Sequence, residues 1–340
     1  MKANSLRPVL DTMFQNGTGF EINTMEELSR LGKLGDLRPN IINSSTVLSA
    51  TDIRGFYHRG VRQFCADRRS QLTNLGINAP GAEVLIRLKV PEAGSRFAVN
   101  SRFGAKPDQV SELISYAEEV ALRVNGLHFH VGSQCSNSEN WKSGIQMAAD
   151  WFTQHPQLKI LNVGGGLPST ENGDSTLITE ILGAIQQTVE TVFDRPPELY
   201  IESGRFLVAN SAVLGSSVIQ LEAGAELSIA TLDISVFSGL LEIFESKLAM
   251  EYPVWSDGDG PLSTYRLEGP TCAGNDVLSR PVNLSELVVD YRSGVPCTKV
   301  YFGNTGAYSI DYVRGIQSGF NGSRIPSILT LKDSKVTKFG

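Results

Sequence analysis

Residues 158–167 read LKILNVGGGL: the apolar run Ile160–Val163 stops on three consecutive glycines, Gly164, Gly165 and Gly166. A short apolar run closed by glycine fits a strand buried on both faces, as in a parallel sheet. The same texture repeats on either side. Apolar runs at 20–23, 41–43, 63–66, 84–88, 126–130 and 200–202 are closed by polar residues. Between them lie amphipathic stretches. The clearest is 107–124, where Val110, Leu113, Ile114, Ala117 and Val120 recur at helical spacing. Ser5 and Gly17 bracket a first helix, and Thr51 and Gly60 another. Strands alternating with helices predict parallel pairing through right-handed crossovers. Seven strands are visible and Met1-Lys2 reads as the end of an eighth. The spacing therefore predicts a (β/α)8 TIM-type barrel over residues 1–211, its first strand truncated.

After about Asn210 the texture changes. Segments 213–221, 225–232, 287–289 and 298–302 are rich in β-branched residues, and turn-rich stretches such as WSDGDG (255–260) separate them. A helical period recurs there at 239–248 and 308–316. This pattern predicts a mostly antiparallel β domain over residues 212–340. No internal repeat or flexible linker interrupts the chain.

The 340 residues are 41% hydrophobic, which is ample for a large core, and the net charge of -6 speaks against a nucleic-acid surface. No window approaches eighteen consecutive apolar residues, so no membrane span is expected. The opening MKANSLRPVL lacks the apolar core of a secretory signal. Cys65, Cys135, Cys272 and Cys297 are too widely and irregularly spaced for a metal site or a disulfide framework. The expectation is a cytoplasmic protein with reduced thiols and no metal.

In a barrel, catalytic groups sit at the C-terminal ends of the strands. Those ends carry Lys2, Glu21, Asn43, Asp67, Arg87, His130, Gly164–Gly166 and Glu202. Strands also end in ordinary polar loops, so position alone does not assign a role. Consecutive glycines let backbone N–H groups converge on an anion, although a plain tight turn is equally compatible. Gly204-Arg205 follows the next strand, and two adjacent strands ending in anion-ready loops match the common phosphate site of barrels. Of the H-x-H pair, His130 at the strand end is expected to face the site. His128 is expected to point to the opposite face as a core histidine, which argues against a metal pair. His58 and His155 read as solvated.

Taken in order, these pieces resemble one family. The matching segments are MKAN (1–4), GTGFEI (17–22), SRFGA (101–105), GLHFHVGSQ (126–134), NVGGG (162–166), ESGR (202–205), GPTC (269–272), GAY (306–308) and FNG (320–322). The chain resembles the fold-type-III pyridoxal-phosphate (PLP) decarboxylases acting on ornithine, lysine and diaminopimelate. The resemblance implies that Lys2 takes up the aldehyde of PLP and that His130 stacks on its ring. It implies that Ser133, Gly164, Gly165, Gly166, Gly204, Arg205 and Tyr308 hold the phosphate, with Glu21 nearby. Glu202 would pair with the pyridine nitrogen and keep it protonated, making the ring an electron sink for the carbanion left by CO2 loss. Racemases of this fold place an arginine there, so Glu202 favours decarboxylation. Cys272 would protonate Cα from a partner subunit, in a homodimer with shared active sites, and Asp276 would lie at the same interface. The ordinary alternatives are a solvated lysine for Lys2 and an inert buried thiol for Cys272.

The chain departs from its relatives in two ways. Position 273 is alanine, where ornithine and lysine enzymes carry aspartate and diaminopimelate enzymes glutamate. Alanine cannot pair with an ammonium, so the expected substrate is an amino acid whose far end is not a simple basic amine. Asp233 remains a candidate for a distal contact. Segment 236–242 (VFSGLLE) is closer to the bacterial ornithine/lysine branch, 320–326 lacks the RPR pattern of diaminopimelate enzymes, and Ser203 replaces the usual proline. Relatives also carry several tens of residues before the lysine, so a gap with exposed sheet edges is expected between the first and last strands. Two further readings stay open: an amino-acid racemase of the same fold, and a regulatory or binding homologue without activity.

Overall fold

The structure is a computed structural model and describes residues 1–32, 41–99, 102–169, 175–292, 298–313, 320, 325–332 and 335–338. Ser101, Cys297, the Asn321-Gly322 pair and the end of the helical period at 308–316 lie outside the described residues. The chain divides into two compact units, Met1–Leu207 and Val208–Gly340, slightly before the expected boundary at 211.

The first unit is a parallel sheet of seven strands in sequential order. They are β1 (Phe20–Ile22), β2 (Ile41–Asn43), β3 (Gln63–Ala66), β4 (Glu83–Leu88), β5 (Arg123–Phe129), β6 (Ile160–Asn162) and β7 (Glu198–Tyr200). Helices α1 (Arg7–Gln15), α2 (Met25–Leu31), α3 (Ala50–His58), α4 (Arg69–Asn78), α5 (Pro107–Glu119), α6 (Glu139–Gln154) and α7 (Thr176–Val192) alternate with them. Local chemistry fixes several helix starts. Thr24 and Glu27 form a reciprocal capping box before α2, and Ser49, rather than Thr51, caps α3 by accepting from Asp52 N. Pro107 opens α5, where its missing N–H costs nothing. The first helix begins after Leu6, without a side-chain cap from Ser5.

The two faces of the sheet are sorted by the strand period of two. One face packs on the helices, with Ile22, Phe64, Ile86, Leu127 and Phe129 among its fully buried residues. The other, inner face carries a small apolar layer of Ile42, Cys65, Leu85 and Ile160, with Tyr200 against it. Gly126 belongs to the inner face beside Leu85, and a Cβ there would meet Ile160 O at 2.3 Å.

No eighth strand is present among the described residues. Met1 and Lys2 instead form a turn into α1: the N-terminal ammonium donates to Glu21 O, and Asn4 N donates to Met1 O. Closing that turn takes up the backbone groups that a strand would pair.

The second unit is a six-stranded sheet and a separate hairpin. Its strands are β8 (Leu214–Glu222), β9 (Ser228–Leu232), β10 (Val254–Ser256), β11 (Leu262–Glu268), β12 (Val282–Ser285), β13 (Lys299–Phe302), β14 (Leu329–Lys332) and β15 (Lys335–Lys338). The sheet order is β10-β13-β8-β9-β11-β12, and β9·β11 is its parallel pair while the others run antiparallel. Three expectations need correcting. Residues 287–289 form no strand, because Leu287 N and Val288 N donate to Tyr265 Oη and Thr298 Oγ1 instead of a ladder. Trp255 belongs to β10 and stacks on Tyr301 at 5.7 Å. The helix expected over 239–248 shortens to Leu241–Glu245, since Gly239, Lys247 and Leu248 all have positive φ.

Leu85 is fully buried in the inner layer. Leu85→Ala should therefore cost about 2–5 kcal/mol in urea unfolding. Ile77→Ala on the exposed side of α4 should stay within about 0.5 kcal/mol of the parent.

Candidate active site

Polar residues appear on the inner face two positions beyond each apolar one. Ser44 follows Ile42, Asp67 follows Cys65, Arg87 follows Leu85, Asn162 follows Ile160 and Glu202 follows Tyr200. In β5 the residue beside Arg87 is His128, and His130 comes two further on. The expectation that His128 and His130 point to opposite faces is therefore corrected. Residues two apart on a strand share a face, and both rings lie with Glu202.

Glu202 is the hub. Asn162 Nδ2 donates to its Oε1 at 2.8 Å, and His128 Nε2 lies 3.4 Å from Oε2. Burial alone pushes this carboxyl up. The neighbouring His128 and the hydrogen bonds from His128 and Asn162 outweigh burial and hold Glu202 below the ordinary carboxylate range.

His130 is oriented by its own loop, with Gly132 N donating to its Nδ1 at 3.0 Å. Burial first, then the charges of Arg87 and Lys2, depress its pKa to about 3. At neutral pH the ring is therefore uncharged and flat, suited to lie against an aromatic ligand. The effect of Lys2 on His130 places its ammonium within electrostatic reach of the site, although the side chain is exposed. Glu21 accepts from Ser44 Oγ and Asn23 Nδ2, each at 2.6 Å. Asp67 accepts from Gly104 N at 3.0 Å and so ties the Phe103-Gly104-Ala105 loop to β3.

Arg87 was not assigned a role from the sequence. It is buried, its Nε has no hydrogen-bond partner, and its guanidinium lies 5.0 Å from the Phe103 ring centroid. Burial lowers its pKa and drives that of the Cys65 thiol well up.

The glycine loop is built for close approach. Gly164 and Gly166 have φ of +68° and +107°, and Cβ atoms there would meet Phe129 O at 2.1 Å and Gly132 O at 2.3 Å. A Cβ on Gly165 would meet Glu202 O at 2.5 Å and His130 Nε2 at 3.3 Å. Cys135 N donates to Gly166 O, and Glu202 N to Gly164 O, so this loop is clasped by the loops after β5 and β7. Ser133 lies in the first of these, bridged to Phe97. Gly204 and Arg205 lie in the second, with Arg205 buried at the start of the short helix Arg205–Val208.

The remaining expected residues belong to the second unit. Asp276 is buried and its carboxylate is taken up within that unit. Oδ1 accepts from Ser235 Oγ and Val236 N, and Oδ2 from Thr271 N and Thr271 Oγ1. This clamps the GPTC loop, where Cys272 is exposed and Ala273 half-buried. Gly269 has to be glycine, because a Cβ would meet Asp276 Oδ2 at 2.2 Å. Asp233 accepts from Ser216 Oγ at 2.6 Å and Ser217 N at 2.9 Å. Tyr308 is half-buried with φ of +55°, an outlier for a bulky residue.

The class is then shown directly. Residues 1–209 match the family model described as the pyridoxal-dependent decarboxylase, pyridoxal binding domain, and the chain belongs to that family. Its cofactor is pyridoxal phosphate. Among individual relatives, the chain is 26% identical to the lysine/ornithine decarboxylase of Selenomonas ruminantium over 294 residues, covering 85% of this chain and 74% of that protein. It is 27% identical to antizyme inhibitor 2 of Xenopus laevis over 345 residues, covering 95% and 72%. The arginine decarboxylase of Paramecium bursaria Chlorella virus shares the fold with a TM-score of 0.81 at 24% identity, covering 91% of this chain and 82% of that one. Among the described residues, no group of three or more His, Cys, Asp and Glu is arranged to hold a metal ion, and no helix is long and apolar enough to cross a membrane.

A depressed His130 pKa means that the unfolded chain takes up a proton near pH 6.5 that the folded chain refuses down to about 3. The stability this confers is present above pH 6.5 and is lost as pH falls through that window. In cofactor-free protein, His130 should contribute a slope of up to about 1.4 kcal/mol per pH unit. Comparing urea unfolding of the parent and His130→Phe between pH 4.5 and 6.5 checks this, and the variant should show the shallower slope.

Proposed function

We propose that this chain is a PLP-dependent decarboxylase of an amino acid, working as a cytoplasmic homodimer with shared active sites. The observation that carries the reading is the convergence of Lys2, neutral His130 and ionised Glu202 beside the glycine cradle at the strand ends. These residues fit PLP by their chemistry. The glycine loop, Ser133, Gly204 and Arg205 would hold the phosphate. Lys2 would take up the aldehyde, and His130 would lie on the ring. Once bound, the cofactor withdraws the electron pair released when CO2 leaves Cα. Glu202 would hold a proton at the ring nitrogen, because its own carboxyl stays charged in the buried site. Cys272 would return a proton to Cα from a partner subunit, and its exposure in the GPTC loop supports that role.

The relatives' names point to basic amino acids: lysine, ornithine and arginine. Ala273 offers no group for a distal ammonium, so the substrate proposed is one whose far end is not a simple primary amine. Asp233 is a candidate for a contact to the distal group. A second reading, a homologue that binds without turnover, is favoured by the same alanine and by the similarity to antizyme inhibitor 2.

One experiment separates them: PLP uptake followed by the absorption band of the lysine-bound cofactor, then CO2 release across a panel of amino acids. A band with CO2 release supports the enzyme, and a band with lost optical activity but no CO2 supports a racemase. A chain without CO2 release or racemisation supports the regulatory homologue. Lys2→Ala should abolish the band while leaving the fold intact by circular dichroism. Ala273→Asp should raise the preference for ornithine or lysine by tenfold or more, since it supplies about 1.5–3 kcal/mol of charge-assisted hydrogen bonding. An unchanged preference would refute the specificity assignment.

A further inference from the structure

Glu202 is gripped by two residues to which the resemblance gives no cofactor role. His128 and Asn162 are register partners on β5 and β6, both are fully buried, and each directs a side chain at a different oxygen of the carboxylate. Asn162 Oδ1 also accepts from Gly164 N at 2.9 Å, so the same amide joins the carboxylate to the glycine cradle. The second ring nitrogen of His128, Nδ1, has no hydrogen-bond partner. The ring's polar contact is therefore made through Nε2, to Glu202.

We propose that His128, together with Asn162, is a positioning residue that aims the Glu202 carboxylate at the cofactor's ring nitrogen and keeps it available as an acceptor. This rests on the PLP reading above and extends it to two residues of the GLHFHVGSQ and NVGGG segments to which the resemblance gives no cofactor role. A core histidine that merely fills space would need neither the contact to Oε2 nor register with Asn162. The other charged or titratable groups coupled to this cluster are Arg87, His130, Lys2, Cys65, Glu21 and Asp67, and they stay in place in the variants below.

The test is the dissociation constant for PLP, measured by titration of the absorption band from pH 5 to 8, in the parent, His128→Leu and His128→Gln. The leucine variant should bind PLP about tenfold more weakly at pH 7, the loss expected for one hydrogen bond to a charged group. Its affinity should also fall off at a higher pH, because Glu202 protonates more readily. The glutamine variant, whose amide reaches from the same place, should stay close to the parent. A folded His128→Leu with the parent's affinity and pH profile overturns the proposal, as does a glutamine variant as impaired as leucine. If His128→Leu does not fold, Asn162→Leu carries the comparison, and unchanged PLP affinity there overturns it. A parent chain that takes up no PLP ends both this inference and the reading beneath it, a result distinct from variants that match a binding parent.

Discussion

Alternate side chains of a strand face the same way, and in the first unit that constraint turns a core into a site. The inner apolar layer of Ile42, Cys65, Leu85 and Ile160 closes the sheet below. The next residue on each inner face is then obliged to stand at the strand ends, whatever its type. Ser44, Asp67, Arg87, His128 and Asn162 are placed in this way, and His130 and Glu202 complete the group. Apart from His130, which Gly132 N orients from the following loop, none of these side chains has to be steered by a loop of its own. The rigidity of the parallel ladder fixes their spacing, which is what precise positioning of a ligand requires.

Close quarters then set the chemistry. His130 is neutral because its own burial, and then the charges of Arg87 and Lys2, disfavour the protonated ring. Glu202 stays ionised because two donors and a positive surrounding outweigh its burial. Both groups are driven toward the deprotonated form: for the imidazole burial and positive neighbours act together, while for the acid the neighbours overcome burial.

The barrel strands were legible because buried parallel strands are continuous apolar runs: β2 and β3 match their expected limits residue for residue. The second unit was harder. In β11, Tyr265 and Leu267 turn inward, while Leu262 is exposed and Arg266 pairs with Glu268, so the alternation is diluted by a polar face. In the site, motifs located Lys2, Glu21, His130, Glu202 and the glycines. Arg87 and Asn162 carry no role in the motif reading, and His128 is read there as a core histidine on the opposite face, although residues two apart on a strand share a face. The signal that finds them is the step of two from Leu85, Gly126 and Ile160.

Tyr308 bears on how this protein would change under selection. Its backbone sits in the left-handed region, which for a residue with a Cβ costs roughly 1–2 kcal/mol against glycine or asparagine. Heat alone would reward replacing it, while any duty of its ring would penalise the loss. Lineages bred for robustness and lineages kept for turnover should therefore part company at this one residue.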